Sequence, residues 1–206
     1  MKKILFSLVV IAIGLVSFTT IDSNDATING VHSEAVFDFD ANVNLQTSMV
    51  KWKGFKPTGS HHGTVMLKSG TMNVRNGKIK SGEFIIDMTT IKDADGSKRL
   101  EGHLKSADFF EIKKYPTSSF VIKKVKKKKG KVMITGDITI KGITKSITVP
   151  TSISLDGNLI IFKSEMFKLN RAEFNVKYKS KSFFNNLKDR FINDEMEMSF
   201  VVKATK

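Results

Sequence analysis

No side chain in this sequence can act as a thiol: its 206 residues include no cysteine, with four histidines and 20 aspartates and glutamates. Thiol catalysis, cysteine-ligated zinc or iron–sulfur centres, disulfide scaffolds and anchoring through a lipidated N-terminal cysteine are therefore excluded. Metal ligation falls to the histidines, and these are scattered. His61 and His62 are adjacent, so on a strand their rings leave opposite faces and make a poor two-ligand site, while His32 and His103 stand alone. With no recognised ligand spacing, the sequence predicts no metal centre and no cofactor. Glu83 and Asp87 lie four apart on one face of what reads as a strand, but that face points outward, and acid–base catalysis needs a partly buried pair. A Gly-x-Ser-x-Gly elbow, a His-Glu-x-x-His motif and a glycine-rich phosphate loop are absent. The residues point away from an enzyme.

Two features could bind a polar group. Arg171 follows an apparent strand and could meet a phosphate or carboxylate in a bidentate way, although an exposed ion pair is the commoner fate of such a residue. His103, Lys105, Ser106 and Asp108 lie in one connecting segment, with Phe109 and Phe110 as its packing anchors. Asp108 reads more readily as a turn or cap residue than as a ligand contact, because aspartate competes well for nearby backbone N–H groups. The chain carries 34 Lys and Arg, a formal charge of +14, and concentrates it in residues 123–131 (KKVKKKKGK). Such a run could bind nucleic acid non-specifically. It coincides with a predicted hairpin turn and has no interleaved aromatic on which bases could stack. The run therefore reads as a solvated turn or a contact with an anionic lipid surface, and no nucleic-acid partner is expected.

The elements that would position these residues begin after a leader. Lys2 and Lys3 precede an apolar run over residues 4–18, 15 residues long, where a helix crossing a bilayer needs about 20. This is the layout of a signal peptide. We therefore expect a signal peptide over residues 1–19, a polar spacer over 20–40 and one domain over 41–206, periplasmic or secreted. Within the domain the pattern is all-β: short alternating segments separated by turn dipeptides. Val50, Trp52 and Gly54 alternate with Lys51 and Lys53, Val65 and Leu67 repeat the pattern, and Met72 and Val74 run into Asn76-Gly77, the preferred centre of a type I′ hairpin. Phe84, Ile86 and Met88 follow on the return strand, then Phe120 and Ile122. Val132, Ile134, Gly136, Ile138 and Ile140 form the cleanest strand, and Met196, Met198, Phe200 and Val202 close the chain. Pro57, Pro116 and Pro150 all fall at apparent strand ends.

Residues 98–110 and 182–190 do not alternate and predict short helical segments, with Ser106 able to cap the next turn of chain. Eight or nine sequential antiparallel strands need their edges removed, and closure into a barrel does this fully. The expected fold is thus an antiparallel eight-stranded barrel with one or two short helices, a sandwich being the alternative.

Residues 63–72 (GTVMLKSGTM), 98–110 (KRLEGHLKSADFF), 115–120 (YPTSSF) and 136–145 (GDITIKGITK) together resemble the YceI-like family. The segment His103-Leu104-Lys105-Ser106-Ala107-Asp108-Phe109-Phe110, followed by Tyr115-Pro116, looks like the family's most characteristic stretch. Residues 167–174 (FKLNRAEF) are similar to its strand ending in an arginine-containing turn, and the likeness runs from about Leu45 to Val202. The sequence departs from the family pattern in its longer leader and in Phe37-Asp38-Phe39-Asp40. The resemblance implies a lipocalin-like barrel, exported to the periplasm, that holds an isoprenoid or other long-chain lipid.

A lipid-binding interior needs inward apolar faces, and the sequence supplies Trp52, Phe84, Ile86, Phe120, Ile122, Ile138, Ile140 and Phe200. Each of these would serve equally as plain core in a filled barrel. His103, Phe109, Phe110 and Arg171 are the candidates at the mouth. The sequence thus points to a non-enzymatic binder of a polyprenyl or quinone-like lipid. The alternative is a structural or stress-related envelope protein with a filled barrel whose basic surface binds anionic lipids or polymers.

Overall fold

The computed structural model describes residues 38–206 apart from 77, 129, 130 and 157. The expected signal peptide and nearly all of the expected spacer lie outside the described residues. Ten strands form a single antiparallel sheet: β1 (Phe39–Val43), β2 (Met49–Lys56), β3 (Gly59–Arg75), β4 (Lys78–Asp93), β5 (Thr117–Lys128), β6 (Lys131–Ile140), β7 (Ile143–Asp156), β8 (Leu159–Ser164), β9 (Phe167–Asn170) and β10 (Glu195–Thr205). One helix, α1 (Lys98–Lys105), lies between β4 and β5. No helix among the described residues is long and apolar enough to cross a membrane.

The sheet closes. It runs β10-β2-β3-β4-β5-β6-β7-β8, and β8 returns to pair with β10 through Val201–Thr205. The two remaining strands share places already in the ring. β1 pairs with β3 and with the end of β10, as β2 does one stretch further along, and β9 pairs with β10 at Glu195–Met198, beside β8. Ten strands thus fill eight positions, and the expected eight-stranded barrel is the fold.

Two of the expected segment pairs run together. Val65, Leu67, Met72 and Val74 belong to the 17 residues of β3, whose register against β4 shifts at Thr64/Met66 and Leu67/Ser69. These bulges bend the strand and interrupt the alternation that periodicity depends on. The segments on either side of Pro150, an expected strand end, likewise share β7, which continues through it. The Pro150 carbonyl accepts from the Glu165 N–H at 2.9 Å, so the missing N–H points to the same β8 side, just beyond the last paired residue, Thr151. The ladder to β6 is left intact. The lysine run is also more regular than expected: β5 extends through Lys128, which pairs with Lys131.

In α1, Ser97 is the N-cap, accepting from the Leu100 N–H at 3.3 Å. Ser106 closes this helix, its N–H and Oγ both donating to the His103 carbonyl, and also opens the next turn, its own carbonyl accepting from the Phe109 N–H at 3.1 Å. The second expected helical segment is only a 3₁₀ turn at Lys188–Arg190. The core divides into two clusters. One, around Val74, Ile79, Ile122, Ile134 and Ile160, fills one part of the barrel, and the other gathers Leu104, Phe109, Phe110, Phe174 and Val176 beside α1. Gly136 is required in the first: a Cβ there would lie 2.4 Å from the Phe120 ring, so only glycine lets Phe120 cross the facing strand.

Candidate ligand-binding cavity

Between the two clusters the barrel is not filled. A cavity of about 190 Å³ runs from Phe84, Phe120 and Phe162 to Leu100, Leu104, Phe109 and Phe174. At about 30 Å³ of liquid volume per water, it has room for roughly six water-sized groups, enough for part of an isoprenoid tail. The wall is apolar almost throughout. Among the described residues its polar members are Lys56, His61, Ser118, Arg171 and Asn193, and no carboxylate lines it. The exposed members Lys56 and Asn193 mark the open side, where the Asn193 N–H donates to the Phe55 carbonyl at 2.9 Å.

The strand period explains which side chains reach this space. Met196, Met198, Phe200 and Val202 alternate along β10 and all line it, as do Val50 and Trp52 on β2 and Phe84, Ile86 and Met88 on β4. Of the residues singled out from the sequence, Trp52, Phe84, Ile86, Phe109, Phe110, Phe120, Ile138, Ile140, Arg171 and Phe200 line the cavity. Ile122 does not. It is buried in the other cluster, where a Cβ on Gly82 would meet it at 3.2 Å, and it is plain core. His103 does not line the cavity either: its ring packs edge-on against Phe109 and Tyr178, and its Nε2 lies 3.0 Å from Asp108 Oδ2. The pair secures the segment after α1 instead of facing a ligand. Met196 and Met198 were legible from the same alternation that flagged Phe200, and Leu100 and Leu104 from their spacing on α1. Val176 and Ile192, in irregular chain, carry no periodic signal.

Arg171 is neither exposed nor free. The guanidinium is 3% exposed and donates through Nε to Asn193 O (3.0 Å), through Nη1 to Val176 O (2.9 Å) and through Nη2 to Ile192 O (3.0 Å). Asp194 lies 3.3 Å from Nη2. Burial pushes the guanidinium below its ordinary value, and the Asp194 charge works against this. Burial would raise the Asp194 carboxyl, but the hydroxyls of Ser180 and Ser182 and the Arg171 charge outweigh it and hold it below the usual range. With its fork spent on backbone carbonyls, Arg171 ties the 171–176 turn to the chain entering β10, and a bidentate hold on a head group would have to break that clasp.

Neither Glu83 nor Asp87 lines the cavity. Glu83 is exposed, and Asp87 Oδ1 accepts from both the N–H and the hydroxyl of Thr89. A closed antiparallel barrel around an apolar cavity, lidded by one helix, defines the lipocalin-like class of small barrels.

A family model described as YceI-like domain matches residues 20–204, and the chain belongs to that family. It is 31% identical over 97 residues to a UPF0312 protein of Pseudomonas putida, covering 47% of this chain and 50% of that one. It is 39% identical over 70 residues to Protein YceI of Escherichia coli O157:H7, covering 34% and 36%. The matches thus span half or less of these relatives' length. Among solved structures it is similar to Burkholderia cenocepacia BcnA, with a TM-score of 0.63 at 24% identity over 79% of this chain and 99% of that one. A polyisoprenoid binding domain from Saccharophagus degradans, implicated in plant cell wall breakdown, gives 0.59 at 11% identity over 80% and 97%. At these identities the structural likenesses speak for the fold.

Proposed function

We propose that this protein is a non-enzymatic binder that sequesters or carries one isoprenoid-type lipid, polyprenyl or quinone-like, with its tail inside the barrel. The observation that carries this reading is the cavity: protein interiors are close-packed, and an apolar space of about 190 Å³ in the middle of a barrel is a space for something else. Membership of the YceI-like family and the likeness to a polyisoprenoid binding domain support the class of ligand. Burying two or three isoprene units at about 0.8 kcal/mol per carbon gains roughly 8–12 kcal/mol. Association costs begin near about 4 kcal/mol, so the tail alone reaches useful affinity. Trp52, Phe84, Ile86, Phe120, Ile138, Ile140 and Phe200 surround the tail, Phe109 and Phe110 close over it, and the head group lies toward Lys56. The apolar leader over residues 1–19 directs export to the periplasm. There the exposed lysines at 126–128 give the barrel a transient hold on anionic membrane.

Trp52 is the single tryptophan of the chain and lines the cavity, so it reports on occupancy. Titration of the lipid-stripped protein with farnesol, a three-isoprene alcohol, is expected to shift and quench its emission, saturating at one equivalent. Unchanged emission, with no farnesol retained on gel filtration, would overturn the reading.

A further inference from the structure

At one side of the cavity β3 and β4 approach so closely that only glycine fits between them. A Cβ on Gly63 would lie 1.8 Å from the Lys92 carbonyl oxygen, and Asp93 pairs directly opposite Gly63. This approach draws the Asp93 side chain fully out of solvent. Its Oδ2 accepts from the Ser97 N–H at 3.1 Å, so the carboxylate is fixed at the start of α1. Its Oδ1 is buried with no partner, and it faces the Nδ1 of His61, equally buried and unpartnered, at 3.9 Å. The exposed carboxylate of Asp95 completes the group, with one ligand atom from each residue lying within 4.8 Å of the others.

Two buried polar atoms that face one another without bonding call for a third party. At 3.9 Å they are too far apart for a hydrogen bond, whose N–H···O distance ends near about 3.2 Å. The separation is about 0.3 Å wider than that of two ligands of one tetrahedral ion, since zinc bonds of about 2.0–2.2 Å set the donor atoms roughly 3.3–3.6 Å apart, and a small turn of the part-exposed His61 ring closes the difference. One imidazole and two carboxylates suit a first-row transition ion better than calcium, which takes six to eight oxygens. The two carboxylates balance a divalent charge, since the neighbouring Glu101 is already paired with Lys98 at 3.0 Å.

We propose that His61 Nδ1, Asp93 Oδ1 and a carboxylate oxygen of Asp95 bind a divalent transition-metal ion, zinc by preference, leaving at least one coordination position open. Because His61 also lines the cavity, the ion sits beside the ligand space. The sequence hides this site, since its members are brought together across the long β3–β4 hairpin and not by a short spacing.

The test is calorimetric titration of the chelator-treated, lipid-stripped protein with Zn²⁺, with Co²⁺ absorption as a report of coordination geometry. One equivalent is expected to bind. His61→Ala and Asp93→Asn should each weaken binding by at least about 100-fold, the upper end of what losing even an outer partner costs. His62→Ala, whose ring leaves the opposite face, should leave binding unchanged. Asp95 is exposed, so Asp95→Asn carries the test even where a core variant fails to fold, and it should lose affinity while keeping its melting temperature. Absence of binding, or weak binding that His62→Ala reduces as much as His61→Ala, would overturn the proposal.

Discussion

Ile86→Trp is expected to cut farnesol binding by at least about 100-fold while leaving the barrel folded. Ile86 is half-buried and turns into the cavity, so an indole there takes up room that the ligand would otherwise fill. Displacing one isoprene unit, five carbons at about 0.8 kcal/mol each, forfeits roughly 4 kcal/mol, which is close to three powers of ten in affinity. Part of that loss is recovered where the tail shifts along the cavity, hence the lower bound. Equilibrium dialysis with labelled farnesol reads the effect, and the melting temperature reads the fold. The change Ile122→Val, in packed core outside the cavity, should leave affinity within a few-fold of wild type.

Arg171→Met is expected to destabilise the protein by about 3–5 kcal/mol, lowering the melting temperature by roughly 6–20 °C. The loss arises because three backbone carbonyls keep their buried positions without their donor and Asp194 loses the opposite charge beside it. Arg171→Lys should rescue little, since an ammonium cannot span three carbonyls arranged around a planar fork. The pH dependence stems from Asp194. Its carboxyl is held below its ordinary value of 3.8 in the folded protein, so its contribution is complete above about pH 4 and is lost as pH falls through the folded value. Urea midpoints should therefore drop on the acid side in wild type, and Asp194→Asn should remove that part of the drop. A midpoint in Arg171→Met that matches wild type would show the clasp to be idle.

Much of this architecture can be read from residue order. β6 alternates without interruption from Val132 to Ile140 and β10 from Met196 to Val202, so their inward faces are plain. The bulges of β3 and the passage of β7 through Pro150 are not, because both depend on where a partner strand stops pairing. The closing of the ring through β8 and β10 is a long-range event with no local signature. The fate of Arg171 is of the same kind: its partners Ile192, Asn193 and Asp194 come some twenty residues later, in chain with no periodicity. The cavity itself is the deepest case. An inward phenylalanine that fills a core and one that lines a void are the same letter in the same register. Family resemblance pointed to the void, and the separation of the two core clusters locates it.

On the proposed function, the space between those clusters belongs to a lipid. Native mass spectrometry of the protein purified from the envelope of its own organism, with organic extraction of whatever dissociates, tests it most directly. One apolar molecule per chain is expected, released as an isoprenoid or quinone and missing from Ile86→Trp. A protein that is empty under conditions retaining weak ligands, and that stays empty when farnesol is supplied, would contradict it.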